Sequence, residues 1–134
     1  MKANKAGHVT ENILADILRA VGLEFQRQVH VGQSIYEPYH LRADFVVTNL
    51  AAFPLGLAIE SKWQDRSGSV DEKFPFMAMN IRTRYTVPAI VVVAGGSCRQ
   101  GALDWFRSQC DGHHLIAVVG MDEFISWAMR SEKV

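Results

Sequence analysis

One short run constrains this chain more than any other feature: Ala89-Ile90-Val91-Val92-Val93, bounded by Pro88 and by Gly95-Gly96. Apolar, mostly β-branched side chains without a polar interruption are typical of a strand that is buried on both faces. Such a strand needs a packed layer on either side, and the segments after it alternate between helical and strand patterns. The run therefore predicts an α/β protein whose mixed sheet carries helices on both faces.

The remaining segments supply the other elements of that sheet. Apolar residues at helical spacing predict a first helix, and Gly22 follows it as a stop signal. Three strands come next with short connections, so an antiparallel meander is their simplest arrangement. A helix that restarts or kinks at Pro75 precedes the central run. The predicted helices cover residues 9–21, 69–85, 99–110 and 122–129, and the predicted strands cover 25–31, 41–48, 55–63, 89–93 and 115–119.

Length and composition narrow the class of protein. At 134 residues, 49% hydrophobic and 21% charged, the chain fits one globular domain spanning residues 1–134. Its zero net charge gives no support to nucleic-acid binding through bulk charge, so such binding needs a local basic patch. Two cysteines are too few for a disulfide-stapled fold, and no apolar run resembles a signal peptide or a membrane span. We expect a soluble, cytoplasmic protein.

Acidic residues interrupt two of the predicted strands. Asp44 opens an otherwise apolar strand core, and Glu60 directly follows another apolar run, with Lys62 two residues later. Residues two apart in a strand point to the same face about 7 Å apart, so Glu60 and Lys62 share a face. If the two strands pair through the turn at residues 49–54, Asp44 lies beside Glu60. The sequence thus predicts two carboxylates and an ammonium group at one place on the sheet.

This combination suits the cleavage of phosphodiester bonds. Carboxylates supply the hard oxygen ligands that Mg²⁺ prefers, and the ion keeps several waters. Asp44 and Glu60 are the predicted metal ligands, and the carbonyl group of Ser61 completes the coordination. Lys62 is predicted to hold or deprotonate the attacking water and to offset charge in the transition state. Magnesium is the expected ion, and manganese is expected to substitute for it.

The spacing of Asp44 and Glu60-Ser61-Lys62 resembles the signature of the PD-(D/E)XK nuclease superfamily, which has the restriction-endonuclease-like fold. The order of predicted elements over residues 7–93 is similar to the core of that family. Segments 68–73 and 88–91 are similar to a subset of bacterial and phage restriction-type members. The resemblance implies a metal-dependent endonuclease that hydrolyses DNA with a metal-activated water and without a covalent enzyme intermediate.

The resemblance also implies roles for two further polar residues. Glu11 on the first helix occupies the place of an acidic residue that joins or supports the metal site in many members. Gln64 resembles a polar residue that often follows the motif, so both are candidate catalytic residues. Ala43 departs from the family pattern, which has proline before the aspartate, a position where replacement is common.

Three polar residues at helical spacing are candidates for contact with the phosphate backbone: Lys73, Asn80 and Arg84. A single small domain reaches one strand, so cutting a duplex or a branched junction requires a homodimer or a higher homo-oligomer.

Other interpretations of these residues stay open. Asp44 also fits a buried structural carboxylate, and Glu-x-Lys on a surface strand is commonly a solvated ion pair. The main alternative is a non-catalytic nucleic-acid-binding or assembly subunit that keeps the nuclease fold. Another is a small-ligand module that uses Gly95-Gly96, although this pair lacks a phosphate-loop pattern and fits a tight turn better. The sequence does not distinguish DNA from RNA.

Overall fold

Within residues 5–36, 38–63, 71–96 and 98–134, which the computed structural model describes, four α-helices and five β-strands follow the order that the sequence predicts. The helices are α1 (Lys5–Ala20), α2 (Phe74–Thr83), α3 (Gln100–Ser108) and α4 (Met121–Arg130). The strands are β1 (Phe25–Gln33), β2 (His40–Val47), β3 (Leu57–Trp63), β4 (Ala89–Ala94) and β5 (Leu115–Val119). No helix in these described ranges is long and apolar enough to cross a membrane.

The start of α2 shows how the chain accommodates Pro75. A 3₁₀ turn over Asp71–Lys73 runs directly into the helix, and Pro75 occupies the first turn of α2. The first turn needs no N–H group from that residue, so the proline starts the helix and does not kink it. The predicted beginning of this helix at residues 69–70 lies outside the described residues. The described helix ends at Thr83, two residues before its predicted end.

The five strands form one mixed sheet in the order β1-β2-β3-β4-β5. The first three strands make the predicted antiparallel meander, whereas β3, β4 and β5 are parallel to one another. Helices α2 and α3 provide the two crossovers that parallel neighbours require. The sheet therefore changes from antiparallel to parallel at β3, which is the strand that carries the Glu60-Ser61-Lys62 motif.

Strand β4 is buried on both faces, as its apolar run predicts. Ile90 and Val92 pack into one core with α1 and α4, whereas Ala89 and Val91 pack into a second core with α2 and α3. Large, fully buried side chains that anchor the helices include Leu14 and Leu18 of α1, Phe74 and Ile81 of α2, Phe106 of α3 and Phe124 of α4. Two helical layers thus cover the parallel strand β4. The bend that follows β4 contains Gly95 at φ +93°.

The β1–β2 ribbon turns over part of the way along its length. Phe25 of β1 packs with the α1 core, whereas Val29 and Val31 of the same strand pack with the α2 core. Alternation along a regular strand would keep these residues on one face. The change of face occurs at Gln28, which adopts φ +54°. Because Phe25 pairs with Val47 and Val29 with Ala43, the ribbon turns over beside Asp44.

Candidate active site

The candidate site lies where strands β2 and β3 separate. Their antiparallel pairing covers only Val47↔Leu57, Val46↔Ala58 and Phe45↔Ile59. Asp44 and Glu60 are the next residues on the two strands, immediately beyond the last pair of the ladder, Phe45↔Ile59. This is also the point at which the β1–β2 ribbon turns over. The ladder therefore ends at the two predicted metal ligands, and the backbone groups there need other hydrogen-bond partners.

The two carboxylates supply those partners to each other's strands. The N–H of Asp44 donates to Oε1 of Glu60 with an N···O distance of 3.0 Å. The N–H of Ser61 donates to Oδ2 of Asp44 at 2.7 Å. Each acid thus accepts a backbone hydrogen bond from the opposite strand, and both side chains are fixed. The structure brings Asp44 and Glu60 together, as their positions in the sequence predict.

Glu60 is a buried carboxylate with both oxygens in contact with the protein. It is 3% exposed, and its second oxygen, Oε2, accepts a hydrogen bond from the hydroxyl group of Tyr85. Burial, together with the neighbouring charge of Asp44, raises the pKa of Glu60 to about 7, although Lys62 and the hydrogen bonds oppose the shift. Burial and the charge of Glu60 in turn raise the pKa of Tyr85 above its ordinary value. A cation beside Glu60 would favour its charged form.

Lys62 and Glu11 complete the charged surroundings. Lys62 is partly buried on β3, and its charge acts on both Glu60 and Glu11. Burial raises the pKa of Glu11, and the charge of Asp44 raises it further, whereas Arg27, His8 and Lys62 oppose the shift. Oε1 of Glu11 lies 3.7 Å from Nη2 of Arg27, and the Glu11 side chain is 15% exposed. Helix α1 therefore places Glu11 within electrostatic reach of the site from its own side of the sheet.

The predicted DNA-contact residues do not form one patch. Lys73 is exposed just before α2, and Arg84 is exposed just after it. The ten-residue helix between them spans about 15 Å. Asn80 is 2% exposed, and its Oδ1 accepts the N–H of Ile35 at 2.9 Å, so this side chain supports the β1–β2 loop. Gln64, the remaining candidate, lies outside the described residues.

The donor set fits a magnesium-type ion that keeps much of its hydration shell. No group of three or more His, Cys, Asp or Glu side chains within the described ranges is arranged to hold a metal. Asp44 and Glu60 offer two carboxylates, and the Ser61 carbonyl lies in the peptide that joins Glu60 to Lys62. Mg²⁺ is commonly bound by one or two carboxylates, with waters and substrate phosphate as the other ligands. A carboxylate oxygen has two lone pairs, so an oxygen that accepts one hydrogen bond can still bind a cation.

Sequence reasoning missed Tyr85. It follows α2, far from the motif in sequence, and a single tyrosine at a helix end has no pattern that would single it out. The turn that follows α2, residues 84–86, is called the α2 exit here. Only its packing against strand β1 brings the Tyr85 hydroxyl group to Glu60.

Comparison with known proteins identifies the family. A family model described as a PD-(D/E)XK nuclease superfamily domain matches residues 2–132. No curated protein and no solved structure matches the chain with significance. The mixed five-stranded sheet with helices on both faces agrees with the restriction-endonuclease-like arrangement. This match extends over nearly the whole sequence, and the chain therefore belongs to the PD-(D/E)XK nuclease superfamily.

Proposed function

We propose that this protein is a metal-dependent endonuclease that hydrolyses phosphodiester bonds in DNA. The observation that carries the proposal is the reciprocal hydrogen bonding of Asp44 and Glu60, which fixes two carboxylates side by side at the end of a strand ladder. Family membership supports a nuclease-type function in general. Burial raises the pKa of Glu60 to about 7, and ionisable groups perturbed in this way cluster at functional sites.

In this proposal Asp44, Glu60 and the carbonyl group of Ser61 hold a divalent cation, magnesium or manganese. Such an ion, when bound, polarises the phosphoryl group and lowers the pKa of a bound water. Lys62 holds or deprotonates the attacking water and offsets the negative charge that develops on the phosphate. Glu11 adds a further carboxylate near Asp44 from α1, and the repulsion between the two acids would be relieved by a bound cation. Gln64 keeps its proposed catalytic role from the family resemblance.

Contact with the DNA backbone is assigned to the two exposed cations at the ends of α2, Lys73 and Arg84. Asn80 drops out of this proposed interface because its side chain is buried and holds the loop. A phosphate contact is worth the same whatever the base sequence, so these cations set affinity and its dependence on salt. Replacing Lys73 with alanine should weaken binding evenly across sequences.

Nicking of supercoiled plasmid in the presence of Mg²⁺ or Mn²⁺ tests the activity, with linear duplex, branched DNA and RNA as further substrates. Glu60→Ala and Lys62→Ala should each lower the rate about 10²–10³-fold, because each removes a charge that acts on the transition state. Glu24→Ala removes an exposed carboxylate elsewhere and serves as the control. Cutting lost in both site variants and kept in the control would establish the centre.

Two results would contradict this proposed function. If no substrate is cut and all of the proteins bind nucleic acid equally well without divalent metal, the chain is a non-catalytic binding or assembly subunit. Preference for RNA over every DNA substrate would correct the proposed substrate.

Double-strand cutting is proposed to require a homodimer or a higher homo-oligomer, because one domain offers one site. Sedimentation or light scattering during cleavage measures this. A monomeric mass at micromolar concentration together with concerted cutting of both strands would contradict it.

A further inference from the structure

The hydroxyl group of Tyr85 reaches the catalytic carboxylate from outside the strands that carry the family motif. Asp44, Glu60 and Lys62 all belong to β2 and β3, whereas Tyr85 lies in the turn that leaves α2. Its hydroxyl donates to Oε2 of Glu60, while the N–H of Asp44 donates to Oε1. The two donors hold the two oxygens of one buried carboxylate, so the plane of the Glu60 carboxylate is fixed.

The backbone on both sides of Tyr85 is anchored. The N–H groups of Arg84 and Tyr85 both donate to the carbonyl oxygen of Asn80, at 2.8 and 3.0 Å. The N–H of the next residue, Thr86, donates to the carbonyl oxygen of Val31 at 2.8 Å. The turn is therefore tied to the end of α2 on one side and to strand β1 on the other. These hydrogen bonds fix the position of the Tyr85 backbone, and therefore the point from which its side chain extends to Glu60.

A close approach of β1 makes that anchoring specific. Gly32 adopts φ +138°, and a Cβ atom built on it would lie 2.3 Å from the carbonyl oxygen of Arg84. Only glycine allows the two backbones to lie so close together. The loop beyond Gly32 is tied to the same helix end, because the N–H of Ile35 donates to Oδ1 of the buried Asn80. The β1–β2 ribbon and the α2 exit thus form one unit that presents Tyr85.

We propose that Tyr85 is a positioning residue of the metal site, whose hydroxyl holds Glu60 in the orientation in which it binds the divalent cation together with Asp44. The inference rests on the proposed function, because it concerns how the cation is held. A partner of a metal ligand fixes the orientation of that ligand, and its removal typically lowers metal affinity or activity about 10–100-fold. Without the hydroxyl, Oε2 of Glu60 loses a hydrogen-bond donor in a buried position, and the side chain regains freedom to rotate.

Tyr85→Phe tests the proposal, because it removes only the hydroxyl group. Tyr39→Phe makes the same chemical change at a residue that is 69% exposed and serves as the matched control. Binding of Mn²⁺ measured by isothermal titration calorimetry should be about 10–100-fold weaker for Tyr85→Phe and unchanged for Tyr39→Phe. At saturating Mn²⁺, plasmid nicking by Tyr85→Phe should recover part of its rate, and its KM for DNA should stay that of the wild type.

A purely structural role predicts a different pattern. Tyr85→Phe would then lower the melting temperature while the folded protein keeps its affinity for Mn²⁺, and this pattern overturns the proposal. Tyr85→Leu, which also lacks the hydroxyl, gives a second measurement if the phenylalanine variant folds poorly. Equal Mn²⁺ affinity of the wild type and of the folded leucine variant overturns the proposal too.

The two proposals fail in different ways. If the wild type binds Mn²⁺ and cuts DNA while Tyr85→Phe behaves identically, the role of Tyr85 is refuted and the nuclease stands. If the wild type neither binds Mn²⁺ nor cuts any substrate, the proposed function fails and the role of Tyr85 falls with it.

Discussion

Asp44 and Glu60 each complete the backbone hydrogen bonding of the strand that carries the other. The Asp44 N–H donates to Glu60 at 3.0 Å, and the N–H of Ser61, next to Glu60, donates to Asp44 at 2.7 Å. The carboxylates therefore hold β2 and β3 together beyond the last pair of the ladder, Phe45↔Ile59. Acids that are proposed to bind a metal ion also close the sheet, so their replacement should change stability as well as activity.

Two replacements of Asp44 should separate these roles. Asp44→Ala leaves the N–H of Ser61 without its acceptor, which should lower the free energy of unfolding by about 1–3 kcal/mol. Asp44→Asn keeps an oxygen acceptor and should stay closer to the wild type in stability. Both variants should lose metal-dependent nicking. Urea denaturation measures the stabilities, and equal losses in the two variants would contradict the hydrogen-bonding role.

The raised pKa of Glu60 should make stability depend on pH in an unusual direction. The folded protein keeps the Glu60 proton up to about pH 7, whereas an ordinary glutamate, whose pKa is 4.5, releases it at lower pH. Unfolding therefore releases a proton between these values, and the free energy of unfolding falls as the pH rises through this window. Glu60→Gln removes this contribution.

Urea denaturation of the wild type and Glu60→Gln at pH 5 and pH 8, with a chelator present, measures the effect. The wild type should lose stability relative to the variant at the higher pH. Addition of Mg²⁺ at pH 8 should stabilise the wild type alone. Parallel pH profiles for the two proteins would show that Glu60 titrates normally.

The ion pair of Asp71 and Arg99 should stabilise the protein at neutral pH. Nη2 of Arg99 lies 2.8 Å from Oδ1 of Asp71, its Nε lies 3.0 Å from Oδ2, and the Asp71 side chain is fully buried. The Arg99 hydrogen bonds hold the pKa of Asp71 below its ordinary value, although burial opposes them. The contribution is therefore present above about pH 4, the ordinary range for an aspartate, and is lost as the pH falls below it.

Arg99→Ala should lower the melting temperature at pH 7, and the difference from the wild type should shrink towards pH 3. Arg19→Ala is the matched control, because it breaks an Arg–Asp pair at 3.3 Å whose side chains are 61% and 81% exposed. An exposed pair of this kind contributes at most about 1 kcal/mol. Equal losses in the two variants, or a loss that is independent of pH, would argue against the role of the buried Asp71 carboxylate.

Gly32→Ala should destabilise the protein by about 1–3 kcal/mol, because the new Cβ atom would collide with the Arg84 carbonyl at a positive φ. Gly101→Ala serves as the control: Gly101 lies in α3 with open space around it, so alanine there should stabilise the helix by about 0.5–1 kcal/mol. Thermal unfolding measures both. A harmless Gly32→Ala would mean that the β1 backbone and the α2 exit separate easily.

The sequence predicted much of the fold because its signals were local. The β-branched run at β4 predicted a doubly buried strand, and the structure places Ile90 and Val91 in different cores. The order of elements, the antiparallel meander and the helices on both faces follow from periodicity and short connections. Pro75 was a harder case, since the same residue breaks a helix or begins one, depending on its position.

The parts of the site that escaped prediction depend on contacts between distant segments. Asp44 and Glu60 were predicted to meet because an expected turn joins their strands. Tyr85 reaches Glu60 only through the packing of the α2 exit against β1, which no local pattern encodes. Asn80 has the spacing of a groove-lining residue, yet its side chain is buried and accepts a hydrogen bond from Ile35 in the β1–β2 loop. The change of face at Gln28 is not predictable from the sequence either, because a positive φ is uncommon for glutamine.

Because the β1–β2 ribbon turns over at Gln28, the edge strand β1 packs against both helical layers. An edge strand that packs on one layer can detach from it while the remainder stays folded. Here Phe25 is partly buried against the core that contains α1, and Val31 is buried in the core that contains α2. Detaching β1 means opening both layers, so the amide protons that hydrogen-bond this strand to β2 should exchange with solvent at similar, slow rates in its two halves.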